Sequence, residues 1–234
     1  MSGAAAGGVL DEQQVRAMFD RIAGVYDGMN RVMTGGLDAR WRSRAADLAA
    51  LGPGARALDV ACGTGDLAVE LATRVGDRGE VVGCDFSERM LELARVKAPG
   101  IRFEQANALA LPYADDGFDA AAVGFGARNF SDLRQGLAEM ARVVRPGGRV
   151  VVLEITTPQR PPLSWFHRVW FDRVVPLLGR LTGQGEAYSY LPSSVRRFPG
   201  PEELAATLAS VGLGRIRWVL TAGGIIAIHV GERL

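Results

Sequence analysis

Several residue types are scarce in this chain of 234 residues, and each shortage excludes a class of protein. Two cysteines (Cys62 and Cys84) and two distant histidines (His167 and His229) give no metal-ligand spacing and no disulfide framework. Lys97 is the only lysine, and a formal net charge of +1 gives no reason to expect nucleic acid as a partner.

Long hydrophobic runs are also missing, since none approaches the roughly 18–20 residues that a membrane-spanning helix needs. Residues 1–10 are rich in Gly and Ala, lack the basic start of a signal peptide, and are expected to form a disordered tail. Residues 11–234 are long enough to bury a sizeable core as one domain. The composition therefore predicts a single-domain cytoplasmic protein.

The chain is organised around residues 57–68, which predict a buried strand ending at Asp59, a loop of small residues and a helix. Gly63 and Gly65, on either side of Thr64, lack the Cβ atoms that would keep a ligand from the backbone. The following helix offers free N–H groups and the positive end of its dipole. The same spacing satisfies the glycine pattern of dinucleotide-binding folds, so the loop alone leaves the cofactor open.

Two carboxylates narrow the choice of cofactor. Asp59 would repel a pyrophosphate but suits a cationic amine or sulfonium. Asp85 ends the next apolar run, residues 80–85, where a carboxylate can accept hydrogen bonds from a ribose diol of either cofactor. Asn107 and Ala108 follow a third strand and could contact an adenine edge. Asp59 therefore disfavours a nicotinamide-dependent reductase.

Strands and helices alternate from the first strand to residue 155, which predicts a parallel sheet with right-handed crossovers and helices on both faces. Two helices, within residues 11–51, are predicted to form an N-terminal cap. The chain closes with two strands, residues 215–220 and 225–230, as a hairpin that is unusual for a nucleotide-binding dehydrogenase. Residues 157–200 break this alternation, hold six of the eleven prolines and are predicted to be an insertion with one helix and an irregular loop.

Four further stretches carry a resemblance to a known family: residues 26–30, 125–129, 142–154 and 188–192. On these motifs the chain resembles class I S-adenosylmethionine (SAM)-dependent methyltransferases. Within that class it is similar to the C-methyltransferases that make menaquinone and ubiquinone from their demethyl precursors. The resemblance covers about residues 15–232.

The resemblance implies a Rossmann-like α/β fold with a mostly parallel seven-stranded sheet and a C-terminal antiparallel hairpin. It implies SAM as cofactor and a reduced prenylated quinone precursor as acceptor, with demethylmenaquinol to menaquinol preferred. A naphthoquinol and a benzoquinol stay open as acceptors, and another small lipid or polyketide is the alternative substrate. The expected cofactor-binding residues are Asp59, Gly63, Thr64, Gly65, Asp85, Asn107 and Ala108.

The implied reaction moves a methyl group from a sulfonium to a ring carbon, so the enzyme must favour the phenolate of the acceptor. Arg128 could stabilise that oxyanion and Asn129 could hold a ring oxygen. Tyr26 and Asp27 are candidates for proton handling or for closing the pocket. The structural alternatives are an ion pair of Arg128 with Asp132, a helix-terminal role for Asp27 and a core position for Tyr26.

This chain departs from the family pattern at three positions. Asp38 stands a few residues before Trp41, where the family usually has His, and this argues against a histidine base. Gly124 replaces a common serine, and Ala61 replaces the first glycine of the cofactor loop.

A prenylated quinol resides in the bilayer, so the enzyme must reach it through apolar surface. Residues 157–200, with the first helix and residues 26–33, are predicted to form a lid over the acceptor site that contacts the membrane. Its apolar stripe and flanking arginines are Trp165, Phe166, Trp170, Phe171, Val174, Leu177, Arg168 and Arg173. The alternatives are that these aromatic residues line the acceptor pocket or form a homodimer interface.

Overall fold

A computed structural model describes residues 11–158, 161, 164–165, 169–170 and 185–234, without the side chains of residues 185–189. Its sheet has the strand order β3-β2-β1-β4-β5-β7-β6. Strands β1 to β5 are parallel, and β7 is antiparallel to both β5 and β6. The strands are β1 Arg56–Val60, β2 Glu80–Asp85, β3 Arg102–Gln105, β4 Phe118–Gly124, β5 Val144–Ile155, β6 Leu213–Thr221 and β7 Ile226–Arg233.

Helices cover both faces of the sheet. Strand residues facing one side pack with α2, α3 and α4, and the alternating set packs with α5 and α7, because side chains of a strand point to opposite faces. The helices are α1 Glu12–Thr34, α2 Leu37–Leu48, α3 Asp66–Val75, α4 Glu88–Lys97, α5 Leu133–Val143, α6 Gly185–Arg197 and α7 Pro201–Ser210. The predicted fold class is confirmed. None of the described helices is long and apolar enough to cross a membrane.

Helix α1 is the first of the two helices predicted within residues 11–51. It stops at Gly35, whose φ of 59° is easy for a residue without Cβ. The apolar face of α1 buries Val15, Met18 and Ile22. Residues 26–30 therefore lie on a continuous helix that crosses the edge of the sheet where the cofactor loops meet.

Residues 188–192, which fall within the predicted insertion, lie in the helix α6. Pro192 removes a backbone donor but does not end the helix. Leu191 and Val195 pack in one cluster with Met29 of α1. This tertiary packing outweighs the low helix propensity of Pro192.

The N-cap of helix α5 is Asp132, which accepts a hydrogen bond from the Gln135 N–H. The predicted tail (residues 1–10) and 21 of the 44 residues of the predicted insertion lie outside the described residues. The stripe positions outside them are Phe166, Arg168, Phe171, Arg173, Val174 and Leu177.

Candidate active site

A cleft of about 890 Å³, open to solvent, lies at the carboxyl ends of the parallel strands. The strands bring the loops after β1, β2 and β3 to the same edge of the sheet, where open α/β sheets bind ligands. The predicted cofactor residues that line this cleft are Asp59, Gly63, Thr64, Asp85, Asn107 and Ala108. Gly65 stands behind them as the N-cap of α3, where a Cβ would lie 2.9 Å from the Phe103 ring.

Asp59 is completely buried, and neither carboxylate oxygen makes a hydrogen bond with the described residues. Burial raises the pKa of Asp59 well above its usual range, and the nearby Ala68 N–H and the charge of Arg42 offset this only in part. An unpaired buried carboxylate is costly, so this position favours a ligand that brings a cation or hydrogen-bond donors.

Asp85 is also buried, but its carboxylate accepts hydrogen bonds from two backbone N–H groups. Its Oδ2 accepts the Gly63 N–H at 2.8 Å and its Oδ1 accepts the Ser87 N–H at 2.9 Å. Burial raises its pKa to about 6, against the lowering effect of these N–H groups. Each oxygen keeps a further lone pair toward the cleft, and this geometry suits a ribose diol.

Helix α1 closes over the cleft through three carboxylates, each bonded to a hydroxyl group of a different cofactor loop. We call these three contacts the α1 clasp. Its pairs are Glu12 with Ser131, Asp20 with Ser87 (2.5 Å) and Asp27 with Thr64 (2.6 Å). The clasp therefore ties α1 to the loops at this edge of the sheet.

Asp27 belongs to the clasp and lines neither the cofactor cleft nor the acceptor cavity described below. Besides Thr64, it contacts Lys97, whose Nζ lies 2.6 Å from the carboxylates of both Asp27 and Asp66. These contacts join α1 to α3 and α4.

A second cavity, which we call the acceptor cavity, lies beside the cofactor cleft; it too is open to solvent and has a volume of about 1110 Å³. The two cavities share Tyr26, Arg42 and Phe125 as a common wall. The apolar lining residues of the acceptor cavity are Met33, Leu37, Trp41, Phe125, Ile155, Trp170, Leu191, Ala222, Ile225 and Ile226. Its polar lining residues are Tyr26, Asn30, Thr34, Asp38, Arg42 and Arg128.

Arg128 is buried on the wall of the acceptor cavity and pairs with Glu154 rather than with Asp132. Its Nη1 lies 2.7 Å from Glu154 Oε1, and it also donates to the Phe125 carbonyl. Burial alone would lower the pKa of Arg128, but the charge of Glu154 outweighs it and raises the pKa. Its buried Nε has no partner among the described residues. Arg128 is thus a fixed cation with donor capacity left over.

The two remaining candidates for catalysis, Tyr26 and Asn129, lie in different parts of the site. Tyr26 lies between the two cavities, with its ring edge-on to Phe19 at 6.1 Å. Asn129 lines the cofactor cleft, and its Oδ1 accepts a hydrogen bond from the Tyr190 hydroxyl at 3.1 Å. Tyr26 thus lines both cavities, whereas Asn129 lines the cofactor cleft and not the acceptor cavity.

Sequence reasoning missed three residues of the site. Glu154 closed one of the family stretches but was given no role, and its pairing with Arg128 spans 26 residues. Arg42 and Asp38 form an ion pair inside α2, and both line the acceptor cavity. Their spacing of four residues is typical of any exposed helix, so the pattern gave no signal of a site.

The sheet order, the closing hairpin and the glycine loop between two buried carboxylates define a protein with the class I SAM-dependent methyltransferase fold. A SAM-dependent methyltransferase of Thermotoga maritima, described as a possible histamine N-methyltransferase, matches with a TM-score of 0.66 and 19% identity, covering 93% of this chain and 99% of that one. The [4+2]-cyclase SpnF matches with a TM-score of 0.70 and 19% identity, covering 97% of each chain. Because the second is a cyclase, this likeness establishes the fold and not the reaction.

The sequence defines the family. The ubiE/COQ5 methyltransferase family matches residues 8–233, and the chain belongs to it. It is 48% identical to a demethylmenaquinone methyltransferase of Thermus thermophilus, over 92% of this chain and 100% of that protein. It is 43% identical to a ubiquinone/menaquinone biosynthesis C-methyltransferase, UbiE, of Geobacter sulfurreducens, over 94% of this chain and 89% of that protein. The resemblance found in the sequence is confirmed, and so is the expectation of a C-methyltransferase enzyme.

Proposed function

We propose that this protein transfers the methyl group of SAM to a ring carbon of a reduced prenylated quinone precursor, with demethylmenaquinol as the preferred acceptor. The observation that carries the proposal is an apolar cavity with a buried guanidinium, that of Arg128, directly beside a cleft with an unpaired carboxylate, that of Asp59. A large apolar ring fits the first, and a cationic nucleoside cofactor fits the second. Relatives named demethylmenaquinone methyltransferase support the choice of acceptor.

The cofactor cleft fits SAM by its chemistry. Asp59 lacks the cationic or donor partner that an amino group supplies, and Asp85 keeps acceptor capacity for a diol. The residues that would hold the cofactor are Asp59, Gly63, Thr64, Gly65, Asp85, Asn107 and Ala108. When bound, SAM supplies an electrophilic methyl group.

The chain's own residues prepare the acceptor. Arg128 cannot serve as a base at neutral pH, but its guanidinium stabilises an aryl oxyanion, which makes the neighbouring ring carbon nucleophilic. Glu154 holds this guanidinium in place through the 2.7 Å ion pair. Tyr26, Arg42 and Phe125, between the two cavities, exclude water from the path of the methyl group and align the acceptor ring.

Peripheral contact with the membrane is a further part of the proposal. Trp165 is 65% exposed, whereas Trp170, five residues later, lines the acceptor cavity. An exposed Trp suits the interfacial region of a bilayer, and the cavity suits the ring that leaves it. Of the two described stripe residues, Trp165 therefore suits the membrane and Trp170 suits the substrate.

Methylation assays test the function directly. Purified protein with SAM and chemically reduced demethylmenaquinol should give a product heavier by one methyl group. A reduced demethyl benzoquinol serves as the competing acceptor. Cells that lack this protein should accumulate a quinone that is one methyl group lighter, and an unchanged quinone profile would contradict the proposal.

A further inference from the structure

One charged residue of the acceptor cavity has no part in the mechanism above. Among the described lining residues, Asp38 is the only carboxylate, and its side chain is 11% exposed. The Thr34 hydroxyl, whose one proton is shared with the Asn30 carbonyl (2.8 Å), lies 2.9 Å from Oδ1, and Arg42 donates to Oδ2. The carboxylate is thus fixed on a wall formed by α1 and α2.

Asp38 is a hydrogen-bond acceptor without donor capacity of its own. Burial alone would raise its pKa, but the hydrogen bonds from Arg42 and Thr34 and the charge of Arg42 outweigh it and hold the pKa below the usual value. Each carboxylate oxygen has two lone pairs, and each is engaged by one protein donor. Acceptor capacity therefore remains for a ligand in the cavity.

The partner of Asp38 makes this wall rigid. The Arg42 guanidinium lies 5.3 Å from the centre of the Phe125 ring and 3.8 Å from the Asp66 carboxylate, and it lines both cavities. Because Arg42 is held on these sides, Asp38 cannot turn away from the cavity without losing a charged hydrogen bond. A ligand in the cavity therefore meets the Asp38 carboxylate in a fixed position.

We propose that Asp38 selects the reduced form of the acceptor by accepting a hydrogen bond from one of its ring hydroxyl groups, an inference that rests on the proposed function. A quinol offers an O–H donor to this carboxylate. The oxidised quinone offers only a carbonyl oxygen, so two acceptors would face each other in a buried place. Asp38 is thereby a specificity-determining residue for the redox state of the acceptor.

The two polar groups of the cavity complement each other in this arrangement. Arg128 is a donor and suits the ring oxygen that becomes an oxyanion, whereas Asp38 is an acceptor and suits the ring oxygen that keeps its proton. A quinol ionised at one oxygen matches both groups. The oxidised quinone matches only Arg128.

The test compares quinol and quinone in the Asp38→Asn variant, whose carboxamide has the same size but can donate to a carbonyl. The readout is the ratio of the inhibition constant of the quinone to the KM of the quinol. We expect this ratio to fall roughly tenfold or more, as the loss of a hydrogen bond to a charged group implies. Asp47→Asn is the matched control, because Asp47 lies on the same helix but pairs with Arg74 outside both cavities; its ratio should not change.

A purely structural role would lower kcat for every acceptor while leaving the ratio unchanged, and that result would overturn the inference. Asp38→His, which introduces the residue typical of the resembled family, is the second variant should Asn not fold. Its neutral imidazole can also donate, so the same fall in the ratio is expected. If the wild-type protein methylates no quinol, the proposed function fails; if it does and the folded variants keep the wild-type ratio, only the role of Asp38 fails.

Discussion

The cofactor cleft and the acceptor cavity share a wall but are built in opposite ways. The polar groups of the cleft come mostly from successive strand–helix loops of one sheet, with α1 along one side. The acceptor cavity combines α1, α2, α6, the ends of β4 and β5 and the turn before β7, and its lining is mostly apolar. A ligand with several polar groups requires fixed local geometry, whereas a flat apolar ring requires a space that distant elements enclose.

The cleft and the cavity also differ in whether their buried charged groups have partners within the protein. Asp59 in the cleft has no hydrogen-bond partner among the described residues, so its partner must come with the ligand. Arg128 in the cavity is already paired with Glu154, so its charge is stabilised without a ligand. Changes in the cleft should therefore act mainly on cofactor affinity, and changes in the cavity mainly on turnover or acceptor affinity.

The largest expected effect tests the cavity. Arg128→Ala should lower kcat by about two orders of magnitude, the scale for losing one oxyanion-stabilising donor, while the affinity for SAM survives. Arg128→Lys should restore only part of kcat, because an ammonium does not reproduce the planar guanidinium. Steady-state kinetics together with calorimetric titration of SAM measure both quantities.

Arg128→Ala also leaves Glu154 buried without its ion pair, which should destabilise the fold by about 3–5 kcal/mol. The double variant Arg128→Ala/Glu154→Gln removes that charge and should regain stability in urea unfolding but not activity. Recovery of activity in the double variant would reduce Arg128 to a structural residue.

The next effect tests the cleft. Asp85→Ala should weaken SAM binding by about 1–3 kcal/mol, the cost of losing hydrogen bonds to a charged group, with little change in the KM of the acceptor. Titration calorimetry measures the affinity. Unchanged affinity would remove Asp85 from the cofactor site.

The raised pKa of Asp85 adds a pH dependence to the same test. Burial raises this pKa to about 6, so below that pH the free enzyme holds Asp85 protonated and less able to accept from a diol. SAM affinity should rise as the pH increases through about 6, and this component should be missing in Asp85→Asn. The folded state binds more protons than the unfolded state between about pH 4 and 6, so the contribution of Asp85 to stability falls as the pH rises across that window.

A smaller effect is expected from two substitutions that distinguish contact with the membrane from lining of the acceptor cavity. Trp165→Ser should lower activity on a long-tailed quinol in liposomes by roughly tenfold, because part of an exposed apolar side chain no longer enters the bilayer, and should spare a short-tailed analogue. Trp170→Ser should lower activity on both acceptors, because Trp170 lines the cavity. Equal loss on both acceptors in Trp165→Ser would contradict the membrane contact.

The smallest effect tests the α1 clasp. Asp27→Asn should speed dissociation of SAM by about two- to fivefold, since the pair with Lys97 is partly exposed and solvent weakens it. Stopped-flow measurement gives the rate, and Glu92→Gln, which removes an exposed pair with Arg89 on α4, is the control. A large loss of kcat with an unchanged dissociation rate would instead assign Asp27 to catalysis.

The sequence by itself determined the sheet, its closing hairpin and the cofactor loop. These features rest on short-range patterns: apolar runs that end in Asp59 and Asp85, glycines two residues apart, and Ser87 as the N-cap of α4. Parallel strands place such loops at one edge whatever the side chains elsewhere are. Local chemistry and a general topological rule were therefore sufficient for the cleft.

Only the tertiary structure decided the acceptor cavity. The partner of Arg128 is Glu154, on a different element, and α6 continues through Pro192 because it packs on α1. Asp38, noted in the sequence only as a missing His, turned out to be a fixed carboxylate in the cavity wall. Contacts between residues far apart in the chain leave no periodic pattern, since their geometry depends on how whole helices pack.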